Sequence, residues 1–176
     1  MFVVNHQSSL DVLIIGALVR TDFTGVAKKE AQWDPRMLLL GALLDPAFVD
    51  RGNNARARAT LDTVVARIKA GTSIAIAPEG TRTATPVVQR FKKGAFHLAM
   101  QAGVPLIPIV IRNAGELMWR RSPIINPGTV DVAVLEPIPT DDWTVGNLNG
   151  HVDQVRQLFA DTLEKWPAAT AVREGR

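Results

Sequence analysis

The chain has 176 residues, 47% of them hydrophobic and 21% charged, with a formal net charge of +3, which suits a single globular domain with a substantial core. It contains no cysteine, so disulfides, thiolate metal sites and a cysteine acyl-enzyme are excluded. Its only histidines, His6, His97 and His151, are too scattered in sequence to suggest a metal site.

Phe2–Val4 reads as a short apolar strand and Leu10–Val19 as a helix. The longest apolar runs, 12–19 and 37–44, fall far short of the roughly 20 residues that span a bilayer. The first four residues carry neither the basic region nor the cleavage site of a signal peptide. They have the character of mid-strand, so the natural chain is expected to begin before Met1. Gly25–Ala27 reads as a second strand, and Asp34-Pro35 can open a helix, with Asp as cap and Pro at the first helical position.

Ala47–Val49 is a third strand. Asn53–Ala70 is the clearest helix, with Leu61, Val64, Val65 and Ile68 on one stripe and Gly71 as its stop. Ser73–Ala77 is a strand ending at Pro78, and a helix from about Lys93 to Gln101 stops at Gly103. Leu106–Ile111 and Val130–Leu135 are strands, and Leu148–Trp166 a final amphipathic helix. Such alternation predicts an α/β fold: a layered sheet, largely parallel or mixed, with helices on both faces. One domain over 1–166 and a flexible tail over 167–176 are expected.

In such folds ligands collect beyond the carboxyl ends of the strands. His6 follows the first predicted strand, Lys28 and Lys29 the second, Asp50 and Arg51 the third, and Glu79-Gly80-Thr81-Arg82 the fourth. In Asn5-His6-Gln7-Ser8-Ser9-Leu10-Asp11, an imidazole backed by a carboxylate makes a general base. The same residues also read as a capping box, Ser8 capping a helix and Asp11 at its third position, and the two roles are compatible.

Gly80 allows a tight turn that exposes amides, Arg82 offers a bidentate fork for phosphate, and Glu79 can orient either; a polar surface turn is the alternative. Asp50-Arg51 is either a local ion pair or an anion contact. Lys92 and Lys93 precede a helix whose dipole favours anions, or are simply solvated. His97 and His151 have no partner in view and are read as structural. Pro105 and Pro108 are expected to mark the start of their strand, a transition that either lines an apolar channel or is purely structural. The basic residues of the first hundred suit phosphate, anionic lipid or nucleic acid about equally.

Four blocks in order, His6-(x)4-Asp11, Phe48-Val49-Asp50-Arg51, Glu79-Gly80-Thr81-Arg82 and Val104-Pro105-Leu106-Ile107-Pro108, resemble those of the glycerolipid acyltransferases. More narrowly, the sequence resembles the 1-acylglycerol-3-phosphate acyltransferases, and Asn5, Lys28-Lys29-Glu30 and Phe91-Lys92-Lys93-Gly94 also fit. It departs from that pattern at Asp45-Pro46-Ala47, where a glycine usually precedes the aromatic residue, and in lacking an N-terminal membrane-associating segment.

The resemblance implies transfer of an acyl group from acyl-CoA or acyl carrier protein to the 2-hydroxyl of lysophosphatidate, giving phosphatidate. It implies His6 as base and Asp11 as its orienting partner. Arg51 and Arg82 would hold the phosphate, Lys28 or Lys29 would assist, and Glu79, Gly80 and Thr81 would form the acceptor pocket. No cofactor or metal is implied. The expected partners are lysophosphatidate, acyl-CoA and the cytoplasmic face of a membrane as a peripheral surface, not nucleic acid. A related acceptor is the first alternative: glycerol 3-phosphate, another lysophospholipid or a glycolipid precursor. A non-catalytic basic module is the second, disfavoured because it needs no His6–Asp11 pair and the chain has no aromatic-interleaved basic stripe.

Overall fold

The computed structural model of the chain describes residues 1–19, 23–33, 45–50, 52–119 and 122–167. Within these, β1 (Phe2–Val4), β2 (Phe23–Lys28), β3 (Ala47–Val49), β4 (Ser73–Ile76), β5 (Ile107–Arg112) and β6 (Asp131–Val134) form one sheet, in the order β3-β2-β4-β1-β5-β6. Every neighbouring pair is parallel except β5 and β6. The described helices are α1 (Asp11–Leu18), α2 (Asn54–Lys69), α3 (Gly94–Ala102), α4 (Ala114–Leu117) and α5 (Leu148–Glu164), with a 3₁₀ turn at Lys29–Trp33.

Successive strand residues point to opposite faces, so each strand feeds two cores. On one face Val3, Ile74 and Val110 meet Val64 of α2, Phe96 and Leu98 of α3, and Val155 and Phe159 of α5. An aromatic chain threads this core: Phe91 meets Phe159 edge-on at 5.4 Å, and Phe96 stacks on Trp143 at 5.9 Å. His151 stacks on Trp143 at 4.8 Å. On the other face Val4, Ile109 and Ile111 take Ile15 of α1 and Ala114 of α4. This second cover is thin. α1 carries no charge beyond Asp11, and Leu13 stays 56% exposed.

β1 is the pivot of the topology. Strands β2, β3 and β4 lie to one side of it and β5 and β6 to the other, so the chain reverses direction across the sheet at β1. A crevice opens at such a switch point, beyond the carboxyl ends of the strands.

The predicted strands and helices over the described residues all form, with ends shifted by a few residues. The 3₁₀ turn and α4 were not foreseen; both are single turns, too short for a periodic signal. The helix expected at Asp34-Pro35 and nearly all of the expected tail lie outside the described residues. Pro105 precedes β5 as expected, but Pro108 lies within it, opposite Val3. Its carbonyl accepts from the Leu135 amide at 3.0 Å, so its ring nitrogen points the same way, toward the end of β6 where ladder pairing stops. The missing N–H therefore costs little.

Where the family resemblance calls for a glycine, Asp45 adopts φ 41°, the left-handed region that glycine favours and that Asp tolerates best after Asn. Its carbonyl accepts from Thr24 Oγ1 at 2.8 Å, and its carboxylate meets Arg67 at 3.2 Å. Asp45→Ala should lower stability by about 1–2 kcal/mol, the left-handed penalty of a Cβ residue without a helpful side chain. Asp45→Gly should lose much less. Thermal unfolding of both variants checks this; equal midpoints would show that the backbone is unconstrained there.

Candidate active site

The chain leaves β1 at Val4, and Asn5 continues the ladder with its side chain. Asn5 is 2% exposed; its Nδ2 donates to the Ile111 carbonyl and its Oδ1 accepts from the Ile111 amide, both at 2.8 Å. The side-chain amide thus stands in for one more peptide pairing with β5 and fixes where His6 begins.

His6 Nδ1 lies 2.7 Å from Asp11 Oδ2, with the imidazole a quarter exposed and the carboxylate 3% exposed. A carboxylate only accepts, so Nδ1 carries the ring proton and Nε2 keeps its lone pair. The same Oδ2 accepts from the amides of Gln7 at 2.9 Å and Ser8 at 3.0 Å. Ser8 Oγ accepts from the Leu10 amide at 3.1 Å and donates to the Met118 carbonyl at 2.7 Å. The capping box expected with Ser8 as cap and Asp11 at the third helical position does not form as such: α1 starts at Asp11 itself, Leu10 takes the cap position without a side-chain cap bond, and the carboxylate that orients His6 closes the loop before the helix instead.

The backbone of His6 is held from β4. Its N–H donates to Glu79 Oε1 at 2.7 Å, and its carbonyl accepts from the Thr83 amide at 2.8 Å. Glu79 Oε2 accepts from the Gln89 amide at 3.1 Å. With both oxygens on backbone amides and 3% exposure, Glu79 braces His6 from below and does not reach the pocket where the sequence reading put it. Burial pushes its carboxyl above the ordinary range, opposed by those amide bonds. The turn that presents Glu79 passes through Gly80 at φ 72°, and Lys92 N–H donates to the Pro78 carbonyl at 2.8 Å, tying the Phe91–Gly94 segment to the same turn.

A groove of about 510 Å³ opens over these residues. Its polar lining includes His6, Ser9, Asp11, Lys28, Glu30, Thr81, Arg82 and Lys92, and Arg82 Nη1 donates to Ser9 Oγ. Its floor is of small residues: Gly25 and Ala27 of β2, with Ala75 and Ala77 beside them. Val12 and Ile15 of α1 and Leu98 of α3 contribute apolar wall. None of residues 102–111 lines the groove; Leu106 is fully buried in the aromatic core, so the start of β5 is structural and not a channel wall.

Gly80, Thr81, Arg82 and Lys28 thus gather with His6 and Asp11 as the sequence suggested. Lys29 does not: its ammonium turns away to Asp50 Oδ2 at 3.1 Å, and the groove is lined without it. Arg51 lies outside the described residues. Sequence reasoning missed Asn5 as a ladder extension, Ser9, Thr83 and Gln89. Each acts through a backbone or second-partner contact that no motif encodes. Among the described residues, no cluster of three or more potential metal ligands occurs.

A family model described as Acyltransferase matches residues 1–112. A 1-acyl-sn-glycerol-3-phosphate acyltransferase of Cocos nucifera is 33% identical over 93% of this chain and 53% of its own length. The protein of that name from Saccharomyces cerevisiae is 32% identical over 99% of this chain and 58% of its own length. The chain therefore spans a little over half of these relatives. The crystal structure of the 1-acyl-sn-glycerophosphate (LPA) acyltransferase PlsC of Thermotoga maritima superposes with a TM-score of 0.75 at 26% identity, covering 96% of this chain and 67% of that one.

The brace under His6 yields a test with a defined sign. In Glu79→Gln one oxygen becomes an NH₂ that faces an N–H donor, so the substitution should cost about 1–3 kcal/mol. A raised native pKa means that the folded state binds the Glu79 proton more tightly than the unfolded state. Its contribution is present below the ordinary value of 4.5 and is lost as pH rises through the raised value. Denaturant unfolding of wild type against Glu79→Gln should show the wild type losing part of its advantage as pH climbs above 4.5. An unchanged difference across pH would contradict a carboxyl raised by burial.

Proposed function

This chain belongs to the acyltransferase family, and we propose that it moves a fatty acyl group from acyl-CoA or acyl carrier protein to the 2-hydroxyl of lysophosphatidate, giving phosphatidate. The observation that carries this reading is the His6–Asp11 pair at 2.7 Å, set in a groove lined by Lys28, Arg82 and Lys92 together with many apolar residues. One amphiphile bearing a phosphate, a hydroxyl and an acyl tail matches that mix of surfaces.

His6 Nε2 takes the proton of the acceptor hydroxyl as its oxygen attacks the thioester carbonyl, and Nδ1–H remains on Asp11. The new C–O bond forms and the C–S bond breaks. The thiolate leaves and takes the proton from the imidazolium, which returns the dyad to its starting state. Transfer is direct and needs no acyl-enzyme, in keeping with the absence of cysteine, and the acyl donor is the sole co-substrate with no further cofactor. Arg82 reads the acceptor phosphate through its fork, Lys28 and Lys92 add charge from the groove rim, and Arg51 completes the pair of arginines. Gly80 and Thr81 shape the turn beneath that phosphate.

Among the described residues, no helix is long and apolar enough to cross a membrane. We propose that the chain works as a peripheral enzyme at the cytoplasmic membrane surface, with the acceptor's headgroup at the rim and its tail in lipid.

His6→Ala should lower acyl transfer by roughly 10²–10⁴-fold while the protein stays folded. Asp11→Asn should also be slow, because its amide can hold the ring in the wrong tautomer. Thioester cleavage across a panel of acceptors checks both variants, and near-normal turnover of His6→Ala would end the mechanism.

The same assay tests the acceptor site. Arg82→Ala should raise the KM for lysophosphatidate well above any change in donor KM, and Arg82→Lys should restore only part of the loss because it lacks the planar fork. A donor KM that rises instead would reassign Arg82 to the other substrate.

A further inference from the structure

Beside the groove lies a second hollow that the mechanism does not use. It has a volume of about 370 Å³ and is lined by Lys29, Gln32, Phe48, Asp50, Arg56 and Thr60, with Ala59. Asp50 gathers its cations: Oδ2 meets Lys29 Nζ at 3.1 Å and Arg56 Nη1 at 4.0 Å. Two cations against one carboxylate leave the cluster with one positive charge to spare. The Lys29 hydrogen bond holds the Asp50 carboxyl below its ordinary range, so it remains an anchor for both cations at neutral pH.

A second observation points to what the hollow takes. Trp33 ends the 3₁₀ turn that supplies Lys29 and Gln32, and its side chain is 80% exposed. Trp33 does not line the hollow but follows its Gln32 directly in the same 3₁₀ turn, so the exposed ring and the hollow's cations supply the two elements of nucleotide recognition, a stacking face and phosphate partners. Its distance from the dyad also fits. The hollow sits at the carboxyl ends of β2 and β3, and β3 is three strand positions from β1 in the sheet. At roughly 4.8 Å each, that is about 14 Å. A phosphopantetheine arm, about four residue-lengths long, covers a similar span of roughly 14 Å.

We propose that this hollow binds the adenosine phosphate end of a coenzyme A thioester, with Arg56 and Lys29 on its phosphates and Trp33 against the adenine. The inference rests on the acyltransferase reading and specifies where its donor docks. A thioester on the pantetheine arm then reaches His6 along the groove, while the nucleotide stays outside it. An acyl carrier protein, which carries the same arm but no adenine, gains nothing from Trp33.

The experiment compares acyl-CoA with the same acyl group on N-acetylcysteamine, which has the thioester but no nucleotide, and measures direct binding of adenosine 3′,5′-bisphosphate by calorimetry. Arg56→Glu and Trp33→Ala should each raise the KM for acyl-CoA, the first by about tenfold, since loss of one charge-assisted contact is worth at least that factor. Both should leave the N-acetylcysteamine thioester unaffected and weaken bisphosphate binding in parallel. Equal changes for both donors, or bisphosphate binding indifferent to Arg56, would overturn the assignment. So would a Trp33→Ala variant with unchanged donor KM but weakened sedimentation with phosphatidylcholine–phosphatidylglycerol vesicles, which would assign Trp33 to lipid. If wild type transfers acyl groups from neither donor yet binds the bisphosphate through Arg56 and Trp33, the reaction is wrong and the nucleotide site stands.

Discussion

One oxygen atom organises the loop that carries His6. Asp11 Oδ2 accepts from His6 Nδ1 and from the amides of Gln7 and Ser8, so a single buried acceptor curls the chain after β1. Three donors converging on one point leave the loop little conformational freedom, and the imidazole is oriented by the same acceptor that closes the loop ahead of α1. α1 itself opens at Asp11 with no side-chain cap, so this carboxylate serves the loop and the ring and leaves the helix end to the backbone.

The next layer of order comes from elsewhere in the sequence. The His6 peptide is gripped by Glu79 and Thr83, both beyond β4, and its predecessor Asn5 is pinned to β5. β4 and β5 are the two neighbours of β1. Each flanking strand thus helps to clamp the loop that leaves the central strand, and the position of His6 is set by sheet register as well as by local turns. Buried donors and acceptors in such a web are costly to leave unmatched, which makes each member of the set depend on the others.

Most of the fold was legible because its signals are periodic or positional. Alternating apolar runs marked the strands, the Leu61–Ile68 stripe marked α2, and Gly71 and Gly103 marked helix ends through their left-handed φ of 96° and 67°. The polar residues at strand ends were legible as a group because parallel sheets bring those ends together. What stayed hidden depended on where individual atoms point. Lys28 and Lys29 are adjacent in sequence, yet one lines the groove and the other faces Asp50, because β2 ends at Lys28 and the chain turns into a 3₁₀ helix at Lys29. Glu79 looked like a pocket residue, and only its burial shows that it serves the backbone. Pro108 looked like a strand boundary, and only the register with β6 shows why it is tolerated inside.

The place of β1 in the sheet also bears on how the chain reaches this structure. Phe2–Val4 is three residues long, and its partners are Ala75–Ile76 and Ile107–Ile109. During synthesis β1 emerges well before either neighbour exists, together with the uncharged stretch of α1. Pairing at such sequence separations demands loop closure before it gives any reward, and sheets of this kind fold slowly for that reason. Until β4 and β5 arrive, the apolar face that α1 lays on the sheet has nothing to cover, and the nascent chain carries exposed hydrophobic surface. The segment that carries His6 is thus made before either strand that holds it and is among the last able to settle, so its passage from the ribosome to the native sheet is where a chaperone would have most to do.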